Sequence, residues 1–206
     1  PDDDQAWYYH GKALLSLNEL QKADFILKHS LQINDQSSVA WYLLALVQYT
    51  RKVHAEALQS IGRALDLSPS NNEILKLKAK IQVALGSYRG ACQTYVMISE
   101  PDASDVEVLT GYTRALYHTG QFRDANTRVT RLLAKDEKNP DLWRMKAEIE
   151  RAQGLFDEAA SALTEACRHA PNNKKLLTLQ GIVLYEAEKY PEAITVIEKV
   201  LGFDPL

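Results

Sequence analysis

The chain has 206 residues, 46% of them hydrophobic, and sets 24 Lys and Arg against 27 Asp and Glu for a formal net charge of −3. That length suits one or two compact domains. The balanced charge argues against nucleic acid or an anionic membrane as main partner, since both draw affinity from an excess of cations, although local patches remain open.

Cys92 and Cys167 show neither metal-site spacing nor a disulfide framework, and two free buried thiols lean towards a reducing, cytoplasmic compartment without excluding the periplasm. No segment resembles a signal peptide, and the longest apolar run, Val39 to Val47, has half the length a spanning helix needs, so no direct membrane insertion is expected. The chain starts with Pro1 rather than Met, as a processed or excised piece would.

Alanine marks an internal period. Ala23, Ala57, Ala91, Ala125, Ala159 and Ala193 stand 34 residues apart without insertion or deletion, which is the sequence signature of a stacked repeat. The units start at Asp4, Ser38, Asn72, Val106, Pro140 and Lys174, giving expected repeats 4–37, 38–71, 72–105, 106–139, 140–173 and 174–206. Each unit reads as helix A (roughly its slots 2–14), a tight turn, and helix B (roughly its slots 18–30).

The first unit sets Trp7, Gly11, Leu20 and Leu27 at its large, small, large and large positions. The second follows with Trp41, Ala45, His54 and Ile61, and closes on Ser68-Pro69-Ser70-Asn71. The third has Leu75, Ala79, Tyr88 and Tyr95, with Gly86 at its turn, and ends early at Pro101. The fourth has Leu109, Thr113, Phe122 and Val129 around Gly120, and passes through Lys138-Asn139-Pro140-Asp141 into the fifth. The fifth carries Trp143, Ala147, Phe156 and Leu163 around Gly154 and closes on Ala170-Pro171-Asn172-Asn173. The sixth carries Leu177, Gly181, Tyr190 and Ile197, with Pro205 in the closing position.

Small residues let two helices approach, and the large ones fill the space around that contact. Glycine at the A–B turn supplies a left-handed residue, while Asn or Asp with Pro between units stops one helix and starts the next. This pattern of large residue, small residue, mid-unit Ala and closing Pro resembles the tetratricopeptide repeat family over the entire chain. The seventh slot departs from it, with His10, Lys78, Lys146 and Gln180 where Leu is usual, and the eleventh is never Tyr. The resemblance implies an all-α fold: a right-handed superhelical α-solenoid of six helix–turn–helix repeats, with helix A lining a concave groove.

Pro1 and Pro205 fall in the same slot of their units, and the last helix B carries Ile194, Val196, Ile197, Val200 and Leu201, apolar on most sides. A terminal helix should have a polar outer face. The expectation is therefore a piece of a longer protein, with self-association or an intramolecular partner covering that helix.

Nothing points to catalysis, a cofactor or a metal. The five histidines, His10, His29, His54, His118 and His169, have no i,i+4 partner, and no Gly-rich phosphate loop or Gly-x-Ser-x-Gly motif is present. Glu148 and Glu150 read as solvated charge on different helix faces. The resemblance places the groove on slots 2, 5, 9, 12 and 13 of helix A. The first two units then offer Gln5, Tyr8, Lys12, Val39, Tyr42, Leu46 and Tyr49, and the next three offer Lys76, Lys80, Arg114, Tyr117, Arg144 and Arg151 among acids. A protein or peptide with apolar and acidic segments would suit both parts. Alternatively the acids serve helix N-termini and the cations pair with them inside the chain.

The asparagine of a carboxylate clamp, expected in slot 9 of chaperone-binding members, is absent, as is the asparagine ladder of glycosyltransferase-linked arrays. The leading reading is a non-catalytic interaction scaffold binding a peptide or helix within a multi-protein assembly. A second is a repeat arm that positions a neighbouring domain of a larger enzyme or secretion apparatus. The third, helical-repeat RNA binding, lacks a regular base-reading pair in each unit.

Overall fold

The computed structural model describes residues 4–99 and 105–202, and Pro1, Pro101 and Pro205 lie outside them. The described residues form twelve α-helices and no strand. In chain order these are α1 (Asp4–Ser16), α2 (Leu20–Ile33), α3 (Ser38–Thr50), α4 (His54–Leu67), α5 (Asn72–Ala84), α6 (Tyr88–Val96), α7 (Val106–His118), α8 (Phe122–Lys135), α9 (Pro140–Ala152), α10 (Phe156–His169), α11 (Lys174–Glu186) and α12 (Tyr190–Leu201).

The helix starts have a local cause. Helix A begins one slot earlier than the pattern predicts, and in the second, third, fifth and sixth units the residue just before the unit acts as its cap. The Ser37 hydroxyl accepts from the Ala40 N–H, Asn71 from Glu73 and Ile74, Asn139 from Asp141, and Asn173 from Lys175 and Leu176. Each satisfies a donor that the first helical turn leaves unpaired.

All six A–B turns share one hydrogen-bond pattern. In the first, Asn18 N–H donates to Leu15 C=O and Glu19 N–H to Leu14 C=O, and the same pair recurs at Lys52, Gly86, Gly120, Gly154 and Glu188. This is the Schellman closure, which requires a left-handed residue. Its φ is +59° at Asn18, +64° at Lys52 and +62° at Glu188, and between +72° and +77° at the three glycines. The sequence marks only the glycines.

Residues 1–111 and 112–206 form two compact units. In the first, α1 packs on α2, α3 on α4 and α5 on α6, with α2 against α3 and α4 against α5. In the second, α9 packs on α10 and α11 on α12, with α8 against α9 and α10 against α11. The repeating alanine is buried in every pair. Opposite it, a Cβ on Gly11 would lie 2.6 Å from Leu27 Cγ, and one on Gly181 would lie 2.7 Å from Ile197 Cγ1. Tryptophan has a further role in this layout. The Trp41 indole N–H donates to Asp35 C=O (2.8 Å) and the Trp143 indole to Glu137 C=O (2.7 Å), each tying its helix to the turn before it.

The eleventh slot, where the sequence departs from the tetratricopeptide pattern it resembles, is polar in three units, buried at Gln48 and Glu150 and half-buried at Gln82. Ser60 Oγ donates to Gln48 Oε1 at 2.7 Å, and Thr94 Oγ1 to Gln82 Oε1 at 2.7 Å, joining helix A to helix B inside one pair. Glu150 occupies the same slot in the fifth unit, opposite Ala162, which has no hydroxyl to offer. The solvated reading of Glu150 is corrected here: the residue is only 5% exposed, and its Oε2 is buried without a hydrogen-bond partner. Burial raises its pKa, Lys146 at 3.8 Å opposes that, and Glu158 adds to the rise. Cys92 and Cys167 are both buried free thiols, and burial pushes Cys167 up as well.

Candidate protein-binding groove

In the first unit the groove slots fall on α1, α3 and α5. Tyr8, Tyr42, Leu46 and Tyr49 are half-buried rather than exposed. Tyr8 packs against the cluster built on Leu14, Leu27 and Leu43, and Leu46 and Tyr49 pack against the one built on Ala45, Ile61 and Ile81. Tyr42 touches both. These rings therefore hold adjacent pairs together while presenting an edge to solvent, and truncating them would disturb the fold as well as any partner.

Beside Tyr8 opens a cavity of about 400 Å³, lined also by Gln5, Tyr9, Ser30, Asn34, Ser37 and Val39. Its apolar wall is accessible: Tyr9 is 63% exposed and Val39 51%. The Tyr9 ring stands edge-on to Tyr8 at 5.0 Å. Further along, burial raises the pKa of Tyr42, and Glu73 and Glu107 push it the same way against Lys76.

The cations of α5 face acids of their own unit. Lys76 Nζ lies 3.1 Å from Glu73 and 3.6 Å from Asp105, and Lys80 lies 2.6 Å from Glu107. In the second unit Arg144 holds Glu148 at 2.6 Å and Asp141 at 3.4 Å. Arg151 grips Glu186 with two parallel bonds, both 2.5 Å, from α9 to α11. Those bonds raise the Arg151 pKa and hold the Glu186 carboxyl below its usual range. Four predicted cations are thus already neutralised inside the chain. Arg114, exposed on α7, and Lys12, exposed on α1, hold no ion pair among the described residues. Tyr117 is half-buried, with Phe122 at 5.9 Å and Tyr117 close enough to Arg151 to add to the rise in its pKa.

Chemically the first unit offers aromatic and aliphatic contact at α1 and α3 and a cation at Lys12, and the second unit offers a cation at Arg114. Among the described residues no group of three His, Cys, Asp or Glu is placed to hold a metal. Sequence reasoning missed a second opening of about 820 Å³ between α2 and α4, which shares no residue with the groove set. No motif marks it, because its walls come from three helices.

Comparison with known proteins agrees with this architecture. Residues 114–174 and 150–206 match the sequence model of the tetratricopeptide repeat. The chain is 25% identical over 222 aligned residues to the human protein O-mannosyl-transferase TMTC3, covering all of this chain and 23% of that protein. It is 21% identical over 195 residues to BBS4, a BBSome complex member of Bos taurus, covering 95% of this chain and 37% of that one. The chain thus spans about a quarter to somewhat over a third of these relatives' length. Among solved structures, YrrB, described as a tetratricopeptide repeat protein with an unusual peptide-binding site, superposes with a TM-score of 0.79 at 18% identity, over 91% of this chain and 93% of its own. The fold class is that of these proteins, an all-α solenoid of helix pairs.

Proposed function

We propose that this chain, which belongs to the tetratricopeptide repeat family, is a non-catalytic protein-interaction scaffold that binds a peptide or helix along the helix A face of its repeats. Protein binding is the general role of the family, and the groove is the finer part of the reading. The observation that carries it is the open cavity beside Tyr8 and Val39, walled by polar as well as apolar side chains, with Gln5, Tyr8 and Val39 on slots that the family resemblance assigns to the groove. Two tyrosines at one cavity are a preferred place for interface contact, and the exposed Val39 adds apolar wall beside them.

The ion pairs refine the partner. Lys76, Lys80, Arg144 and Arg151 would have to exchange one carboxylate for another, which yields little. Arg114 and Lys12 need no exchange. The proposed ligand is therefore mainly apolar, with few acidic residues, rather than a densely acidic segment. The groove residues proposed remain Tyr8, Lys12, Tyr42, Leu46, Tyr49, Lys76, Lys80, Arg114, Tyr117, Arg144 and Arg151, with Val39 added as an anchor.

The test is a selection from a phage-displayed random peptide library on the whole chain, with affinities measured by fluorescence anisotropy. Val39→Glu keeps the helix, since an acid near an N-terminus is favourable there, but puts a charge into the cavity. Binding should fall roughly tenfold or more on Val39→Glu, as for loss of an anchor, and more modestly on Arg114→Glu. Selected peptides that bind both variants as tightly as the parent would refute the groove reading.

A second reading rests on how little of its relatives this chain spans. It places the array as an arm of a larger protein that positions a neighbouring domain, and it is compatible with the first.

A further inference from the structure

The cleft between α2 and α4, about 820 Å³, has an apolar floor of Leu31, Trp41 and Leu44. That volume lies within the ~300–1,000 Å³ usual for ligand pockets. Its α4 wall departs from helix rules in two neighbouring places, Gly62 and Asp66, with Arg63 between them. Gly62 sits inside the helix, where glycine is among the least favourable residues. A Cβ there would meet nothing within 4 Å, so this glycine, unlike Gly11 and Gly181, makes room for no other side chain of the chain. Asp66 lies in the last turn of α4, where the helix dipole favours a cation. Arg63 stands one turn before it, and both are exposed. Among the described residues neither Arg63 nor Asp66 holds an ion pair or side-chain hydrogen bond.

The other end of the cleft is different. Lys28 lies 2.9 Å from Asp24 and 3.6 Å from Glu56, and Gln48 is bonded to Ser60. The unmet features are confined to the stretch from Gly62 to Asp66. Local rules broken without compensation inside the chain are expected where another molecule supplies it.

We propose that this cleft is a second binding site, taking an amphipathic helical segment of a protein partner. A large apolar side chain of that segment enters over Gly62 onto Leu31, Trp41 and Leu44. A basic residue of the segment pairs with Asp66, and an acidic one pairs with Arg63. Because Arg63 and Asp66 are one turn apart, the partner's acid and base are spaced by one turn as well.

The experiment uses the whole chain and a phage-displayed random peptide library, counter-selected on Gly62→Leu. Leucine fills the opening and favours the helix, so this variant should melt at the same or a higher temperature than the parent. Peptides that pass should carry a large apolar residue with an acid and a base one turn apart. In fluorescence anisotropy they should lose roughly tenfold or more on Gly62→Leu and on Asp66→Lys. A peptide with its base changed to an acid should regain affinity on Asp66→Lys. Binding should be unchanged on Val39→Glu and Arg114→Glu, which separates this site from the groove. The proposal is overturned if no peptide distinguishes the parent from Gly62→Leu, if those that do lack the acid–base pair, or if they weaken equally on Val39→Glu.

Discussion

The six A–B turns allow a direct measurement of backbone strain, because one geometry is built from two kinds of residue. Lys52 and Glu188 hold φ of +64° and +62°. A left-handed conformation costs an L-residue about 1–2 kcal/mol, and a glycine gives back about 0.5–1 kcal/mol of that in unfolded-chain entropy. Both side chains are exposed and make no recorded bond, so replacing them removes no contact. Lys52→Gly and Glu188→Gly should therefore each stabilise the chain by about 0.5–1 kcal/mol.

The reverse changes complete the test. A Cβ on Gly120 or Gly154 would meet nothing within 4 Å, yet their φ is +77°. Gly120→Ala and Gly154→Ala should each cost about 0.5–1 kcal/mol from φ alone. Urea melts followed by circular dichroism report the midpoints, and native-state hydrogen exchange resolves which helix pair responds, since repeat arrays need not unfold in one step. If Lys52→Gly destabilises and Gly120→Ala is neutral, the Schellman closure does not limit these turns and the strain reasoning fails.

Three other outcomes are expected. Glu150→Gln should stabilise at neutral pH by about 1 kcal/mol, because it removes a buried carboxylate with an unpaired oxygen. Since burial raises the folded-state pKa of Glu150, its contribution is present below the unfolded value of about 4.3 and is lost as pH rises through the folded one. The gain from glutamine should vanish in acid, and a glutamine variant less stable than the parent at neutral pH would mean that the Lys146 pair outweighs desolvation. Glu186→Gln should cost under about 1 kcal/mol at neutral pH, given a half-exposed pair. Because Arg151 lowers the Glu186 pKa, that stability is present above the unfolded value and should disappear as pH falls through the folded one; a cost that persisted in acid would count against the ion pair. Finally, Gly11→Ala should destabilise, since Leu27 is fully buried and cannot yield, whereas Gly181→Ala should be near neutral because Ile197 is 41% exposed and can swing aside. Equal effects in thermal melts would contradict that distinction.

The repeat register was legible because the period of Ala23 to Ala193 is unbroken and one face of each helix repeats with it. Three features of the site were not. The left-handed turns at Asn18, Lys52 and Glu188 carry no glycine, so only backbone geometry reveals them. The cations at Lys76, Lys80 and Arg151 fit either an acidic ligand or acids of the chain as far as the sequence goes, and the structure favours the second; Glu107 reaches Lys80 and Glu186 reaches Arg151 from a neighbouring helix A, a relation the sequence order hides. Tyr42 looks like a free aromatic in the pattern, but its position between two core clusters makes it as much packing as surface. The cleft over Gly62 could have been suspected from a lone glycine inside helix B, since such a residue needs a reason.

The claim that the helix A face is where this scaffold meets its partners is tested most directly by amide and methyl chemical-shift mapping with the tightest peptide from an unbiased library. The largest shifts should fall on α1 and α3 around Tyr8, Val39 and Leu46. Shifts that leave helix A untouched in every unit would contradict it.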